Sequence, residues 1–349
     1  MRVLYFGTYE RAYPRNAQVI SALRRAGVEV IERHVPVWEG REHKFDAGAG
    51  AVARLALAQV QLVRAPREPF DVVVVGYPGH LDVARARRVA GKRPVVFNPL
   101  VSLADTFVDD RARFRPGSFG ARALASIDRR AFRRADLVVA DTRAHARLFR
   151  ELGARRVEVC FVGAEERVFR PGWKMQPPFT AIFVGKLIPL HGLETVLEAA
   201  RLAPELPFRV IGSGQLEALL ERRAANVEWV PWVEYERLPD QLHACGCALG
   251  IFGTSAKAER VIPNKVFQAL ACGAPVVTAD TPAARELDEG ALRLVPAGDP
   301  HALAQAVREL AADAGERASL AARGHETYVR RASEEILGRR WRALLEELL

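Results

Sequence analysis

Lys186, His191 and Lys265 each stand beside a glycine or a helix start, a setting suited to gripping an anion. Residues 183–198 read FVGKLIPLHGLETVLE: an apolar run ends at Gly185, Lys186 follows, and Gly192 after His191 opens a helical pattern. A helix N-terminus offers free backbone N–H groups and partial positive charge, so a cation and a second donor beside it suit a phosphate or diphosphate. Residues 261–277 (VIPNKVFQALACGAPVV) begin a helix at Pro263 and Asn264, with Lys265 in its first turn. A lysine there opposes the macrodipole, and an anion at that terminus gives it a reason to be present. Residues 209–215 (RVIGSGQ) run a strand into Gly212 and Gly214, where backbone can approach a ligand closely, although the third glycine of a dinucleotide fingerprint is missing. Taken singly, these are also a solvated lysine, a turn histidine, a helix cap and a tight turn. Their combination favours an anion site.

The elements that must position these groups alternate in type. Residues 2–6, 28–31, 71–75, 94–97, 136–140 and 157–162 read as strands, with helices predicted over 18–26, 51–63 and 142–152. The run DVVVV at 71–75 is continuous and β-branched, as a strand buried on both faces should be. A proline-rich stretch at 169–178 (FRPGWKMQPP) reads as a linker. Beyond it strands are predicted at 180–184, 208–211, 227–230, 248–251, 275–278 and 293–295. Helices are predicted at 192–202, 216–222, 238–244, 264–272 and 302–311. Alternating strands and helices imply parallel sheets with right-handed crossovers. The expected fold is therefore α/β, with two Rossmann-like domains facing across a cleft. Residues 1–168 would form the first domain and residues 179–333 the second, while the last helix, 334–349, could pack on either and so complete the first.

The three cation-bearing stretches, in this order, resemble the C-terminal domain of family 4 glycosyltransferases of the retaining, GT-B type. The similarity extends over nearly the whole chain, is strongest over 180–300, and includes GAEERVFRP at 163–171. The resemblance implies that Lys186 and His191, with Gly185 between strand and loop, grip the donor diphosphate. It also implies that Asn264, Lys265 and the N–H of Val266 approach the same group. Gly212 and Gly214 would line the donor site, and the loop after Val230 would read the base around Trp232 and Val233. Many members carry E-x7-E at the start of this helix; here the positions hold Arg260 and Gln268, with Glu259 beside the first. Gln268 can still accept a hydrogen bond from a ribose hydroxyl, and Glu259 is the candidate for the sugar contact. The chain is closest to the subgroup with a P-N-K helix start in place of the first glutamate.

In the N-terminal half, Gly7, Thr8, Tyr9 and Arg11 follow the first strand, residues 76–80 (GYPGH) the third and 97–105 (FNPLVSLAD) the fourth. Loops in these positions tend to hold catalytic groups. His80, Asp105 and Asp109 are the titratable candidates, and His80 or Asp105 would act where many family members have a histidine after the Phe97-type strand. No D-x-D occurs, so no metal site is expected, and no cofactor beyond the nucleotide-sugar donor. The diphosphate would be neutralised by Lys186, Lys265 and helix dipoles. The implied activity is metal-independent transfer of a sugar from a nucleotide-sugar to a glycan or lipid-linked acceptor, with retention, in building a cell-surface saccharide. A GT-B-type sugar-nucleotide epimerase and a nucleotide-binding pseudoenzyme or scaffold are the alternatives.

Charge and composition bound the rest. Lys and Arg total 51 against 42 Asp and Glu, a net +9, which suits an anionic partner or reflects an Arg- and Ala-rich composition. Nucleic acid is not expected, because the basic residues are not interleaved with aromatics in a groove-entering motif. Residues 111–134 carry eight arginines with Phe114, Phe119 and Phe132 among them, which suits either an anionic membrane surface or a solvated basic helix. No apolar run is long enough to span a bilayer, and the start lacks the marks of a signal peptide. Cys160, Cys245, Cys247 and Cys272 have no zinc-like spacing, pointing to a reduced, cytoplasmic chain, peripheral on the inner face of the membrane if the basic segment docks there.

Overall fold

The computed structural model describes residues 1–37, 49–63, 68–111 and 113–349; the side chains of 49–53 and 109 lie outside the description. The chain divides into two compact units. The first holds Met1–Val108, Ala112–Val162 and Glu334–Leu349, and the second Asp109–Arg111 and Gly163–Ser333.

The first unit is built from β1 (Arg2–Gly7), α1 (Pro14–Arg25), β2 (Glu29–His34), α2 (Ala49–Gln61), β3 (Val72–Val75), α3 (Val83–Ala90), β4 (Val95–Phe97), α4 (Phe119–Arg134), β5 (Leu137–Ala140), α5 (Arg143–Glu151) and β6 (Val157–Val159). A π-helical turn occupies Asp105–Asp110. The strands form one parallel sheet in the order β2-β1-β3-β4-β5-β6. Alternation along β3 sorts its side chains: Val73 and Val75 join Ala58, Ala86, Phe132 and Phe149 of α2 to α5, while Val72 and Val74 join Val19 and Leu23 of α1. That second face also receives Leu337, Trp341 and Leu344 from the helix Glu334–Glu346. The two helices meet closely where a Cβ on Gly338 would overlap the Ala22 carbonyl oxygen.

The second unit contains β7 (Ala181–Val184), α6 (Leu193–Leu202), β8 (Phe208–Ile211), β9 (Val227–Val230), α7 (Leu238–His243), β10 (Cys247–Leu249), α8 (Asn264–Cys272), β11 (Val276–Ala279), α9 (Pro282–Leu287), β12 (Arg293–Val295), α10 (Pro300–Ala312) and α11 (Ala314–Arg331). Its parallel sheet runs β12-β11-β10-β7-β8-β9, so the order reverses at the β7/β10 boundary. Ligands of such sheets bind beyond the strand C-termini at that switch point. Residues 216–222, expected as an α-helix, form a 3-10 helix over Glu217–Arg222. The proline-rich stretch 169–178 lies in the second unit. Trp173 is tied there, its indole N–H donating to Cys245 O at 2.8 Å and its backbone N–H to Cys272 O at 3.0 Å. No helix among the described residues is long and apolar enough to cross a membrane.

Candidate active site

Backbone close approach builds the end of β7. Gly185 has φ +147° and donates to Ile211 O at 2.9 Å; Gly212 has φ +141° and donates to Val230 O at 3.0 Å. A Cβ on Gly212 would overlap the Gly185 carbonyl oxygen, and one on Gly214 would lie 2.9 Å from Leu187 O. Leu187 N–H donates to Ser213 O at 3.0 Å, so the G-S-G loop lies directly along residues 185–187. On the far side, Phe252 N–H donates to His191 O at 3.0 Å. Glycine is required here because both backbones occupy the space a side chain would take.

Gly185 also opens room for Lys265. A Cβ at 185 would sit 3.0 Å from Lys265 Nζ and 3.4 Å from His191 Cε1, so these three residues converge. The Lys265 ammonium is buried, has no hydrogen-bond partner, and lies 3.5 Å from the Phe183 ring centroid. A desolvated cation–π contact contributes about 2 kcal/mol, less than the several kcal/mol that burying an unpaired ammonium costs. Burial therefore holds the Lys265 pKa well below the ordinary lysine value. His191 Nδ1 lies 2.5 Å from Lys186 O; a carbonyl only accepts, so Nδ1 carries a proton. Burial, then the Lys265 charge, hold the His191 pKa well below its ordinary value. The site is thus a buried Lys265 ammonium without a hydrogen-bond partner beside an imidazole whose protonation burial disfavours, at the first turn of α8, an arrangement an anion completes. The Lys186 side chain is exposed.

The expected contacts differ in placement. Val266 N–H, expected at the diphosphate, donates instead to Pro263 O at 3.0 Å, which leaves the Asn264 and Lys265 N–H groups as first-turn donors. Trp232 is 71% exposed on the loop after β9, Val233 is half-buried, and Glu259 is exposed. Gln268 is buried and its amide donates to Tyr235 OH at 3.4 Å. Tyr235 in turn meets Phe169 edge-on at 5.3 Å between centroids. Phe183 was not foreseen as a site residue. Its signal is the i, i+2 relation to Gly185, which turns both to one side of the strand.

In the first unit, Gly7 and Thr8 end β1 against Asp82. The Asp82 carboxylate accepts from Thr8 N at 2.7 Å, Thr8 Oγ1 at 2.9 Å and the Gln59 amide. A Cβ on Gly7 would lie 2.6 Å from Asp82 Oδ2. Tyr9 and Arg11 both donate to Glu32, at 2.8 and 3.0 Å.

His80 and Asp105, expected as acid–base candidates, are interior groups. His80 is 5% exposed; its ring nitrogens face Pro78 O and Val101 O, and Phe97 and Phe132 pack edge-on against it. The fully buried Asp128 lies 3.4 Å away. Asp105 is buried at the start of the π-helical turn, its N–H donating to Ser102 Oγ at 3.1 Å. The Asp109 side chain lies outside the described residues. Asp128 accepts from Ser102 Oγ at 2.6 Å and from the N–H groups of Leu103 and Ala104 at 3.0 Å. Asp128→Ala orphans all three donors and is expected to lower stability by about 3 kcal/mol, read as a lower urea midpoint at unchanged slope.

Comparison with known proteins gives this geometry a context. Residues 2–164 match the family model described as "Glycosyl transferase 4-like domain", and residues 178–313 match "Glycosyl transferases group 1". The chain is built from two glycosyltransferase domains. Among curated proteins the chain is similar to the lipopolysaccharide core biosynthesis glycosyltransferase LpsE of Rhizobium meliloti (strain 1021), 27% identical over 216 residues. That match covers 59% of this chain and 63% of LpsE, so the chain spans less than two thirds of that relative's length. Among solved structures, sucrose-phosphate synthase from Thermosynechococcus elongatus aligns with a TM-score of 0.76 at 15% identity, covering 99% of this chain and 98% of the other. Anabaena HepE, solved in complex with UDP-glucose, aligns at 0.68 and 17% identity over the whole of both chains. These two share the fold, which is GT-B.

Proposed function

We propose that this glycosyltransferase moves a sugar from a nucleotide-sugar donor to a glycan or lipid-linked acceptor, with retention and without a metal. The observation that carries the reading is the buried, unpartnered Lys265 ammonium beside Gly185 and His191 at the first turn of α8. The diphosphate of a nucleotide-sugar is a dianionic group that matches the two lysines, Lys186 and Lys265, and a helix N-terminus on a Rossmann-like sheet. In the reaction, the acceptor oxygen bonds to the anomeric carbon as that carbon's bond to the diphosphate oxygen breaks on the same face. The departing diphosphate takes the acceptor proton. Lys265, His191 and Lys186 offset the charge growing on the leaving group, so catalysis is positioning and electrostatic stabilisation. The likeness to LpsE, named for lipopolysaccharide core biosynthesis, supports a cell-surface saccharide as acceptor. The four buried free thiols suit a reducing, cytoplasmic setting.

The test is a thermal-shift screen against UDP-, GDP-, ADP- and dTDP-sugars. Transfer to a saccharide acceptor with the best donor follows, with the product's anomeric configuration read by NMR. The reading expects diphosphate release coupled to a product of the donor's own configuration. An inverted product overturns retention, an isomerised free donor means an epimerase, and binding without turnover means a scaffold.

Binding should also carry protons. The folded pKa values of Lys265 and His191 are depressed below 10.5 and 6.5. The folded state therefore holds fewer protons than the unfolded chain in those windows, and stability falls as pH drops through 10.5 for Lys265 and through 6.5 for His191. A bound diphosphate favours the charged forms and reverses both shifts. UDP calorimetry at pH 8 in two buffers of different ionisation enthalpy is expected to show net proton uptake, and Lys265→Met to reduce it.

A further inference from the structure

We infer that the outer surface of α3, α4 and α5 docks on an anionic lipid bilayer. The two faces of the first sheet differ in how far their arginines are paired, although on the α3 side Arg87 does pair with Asp136, at 2.6 Å. On the α1 side the arginines are paired: Arg24 with Glu32 at 2.9 Å, Arg340 with Glu158 at 2.8 Å and Arg342 with Glu346 at 2.7 Å. On the other side, Arg88, Arg122, Arg129, Arg130, Arg133 and Arg147 are exposed, and none has a carboxylate partner among the described residues.

The sequence explains the asymmetry. α3 (VARARRVA) carries no acid. α4 has one, Asp128, which is fully buried and committed to Ser102, Leu103 and Ala104. α5 has only Glu151 at its last position. On the α1 side most arginines are neutralised by carboxylates, whereas this layer, the Arg87–Asp136 pair apart, carries six exposed guanidinium groups with no carboxylate partner among the described residues.

The same layer exposes apolar side chains. Phe119 opens α4 at 84% exposure, with Phe114 just before it at 40%. At 100° per residue, Phe119, Arg122, Arg129, Arg130 and Arg133 fall within roughly 120° of arc on α4, on one stripe. α2 belongs to this layer, since Ala58, with Leu62 just beyond its end, shares a core with α3, α4 and α5, and it turns Leu57 (64%) and Val60 (69%) outward. Guanidinium groups suit phosphate headgroups, and the apolar side chains beside them suit the headgroup–acyl boundary. A nucleic acid would use the charge but not Leu57 and Val60, so the apolar members favour lipid.

The test is co-sedimentation of the full chain with phosphatidylcholine vesicles with and without phosphatidylglycerol. Wild type is expected to bind only the phosphatidylglycerol vesicles, and less so as salt rises. At about fivefold per surface arginine, a triple Arg122→Gln, Arg129→Gln, Arg133→Gln variant is expected to partition about a hundredfold more weakly. Phe119→Ser is expected to weaken the binding that persists at high salt. Arg339→Gln with Arg342→Gln, on the opposite side, should bind as wild type does. Thermal melts confirm that each variant is folded; should the triple variant melt early, the single Arg129→Gln and Arg133→Gln variants replace it. Absent binding to phosphatidylglycerol, a triple variant that binds normally, or duplex nucleic acid bound more tightly than vesicles would each overturn the inference.

Discussion

Lys265→Met is expected to raise the melting temperature while weakening UDP binding about a hundredfold. The two effects have one cause. The Lys265 side chain is buried against Phe183 without a hydrogen-bond partner, so the folded protein bears either the desolvation cost of its charge or the cost of giving up its proton. Methionine keeps the apolar stem and removes the charge, and exchanging uncompensated buried ions for apolar groups stabilises proteins by about 1–4 kcal/mol. The same exchange leaves a bound diphosphate without its buried cation, a loss of about 3 kcal/mol for a charge-assisted contact in a dry site. Differential scanning fluorimetry and calorimetry on one preparation read both quantities. Unchanged UDP affinity in a folded variant would show that the ammonium serves packing and that the site is elsewhere. A lowered melting temperature together with lost binding would show that Lys265 is structural.

Gly212→Ala is expected to be the most damaging single methyl in the second unit. The position has φ +141°, and its Cβ would overlap the Gly185 carbonyl oxygen. Strain at such a backbone angle and the parting of two strand ends together predict a loss of at least about 3 kcal/mol. For a unit of this size that corresponds to a fall of roughly 6–12 °C. Gly273→Ala is the control. Gly273 also has positive φ, at +77°, but a Cβ there meets nothing nearer than 3.9 Å. That variant should lose only about 1 kcal/mol, the ordinary penalty of a left-handed helix cap. Equal losses in the two variants would show that backbone angle alone sets the cost and that the approach of the two loops does not matter. Because Gly212 rests on Gly185, Gly212→Ala should also displace the residues around Lys265 and His191 and weaken nucleotide binding in whatever fraction stays folded.

The strands were legible because each buried one is a short apolar run between turn residues. Residues 208–211, 227–230 and 293–295 are strands with the bounds expected, and α8 occupies the expected 264–272. Elements that sequence reading missed lack that contrast. α3 and α11 are rich in arginine and alanine, and α11 shows only a narrow apolar stripe at Leu320, Ala321 and Tyr328, so neither stands out from a polar loop. The convergence of Gly185, His191 and Lys265 follows spacing along two separate segments, and a sequence names the partners without setting the distance. What stayed illegible was burial: His80 sits in a loop of Gly and Pro that reads as exposed, yet Phe97 and Phe132 enclose it. Likewise Lys186 and Lys265 read alike in sequence, but one reaches solvent and the other lies under a strand end.

The helix Glu334–Glu346 belongs to the first unit although the whole second unit precedes it in the chain. Its Trp341, Leu344 and Leu345 cover Val19, Ile20 and Leu23 of α1. During synthesis, therefore, the ribosome releases a complete second unit while the first still shows a bare apolar flank. A transcript cut short before Glu334 would yield a sticky product, prone to chaperone capture and clumping, even though every group proposed to hold the nucleotide is present in it.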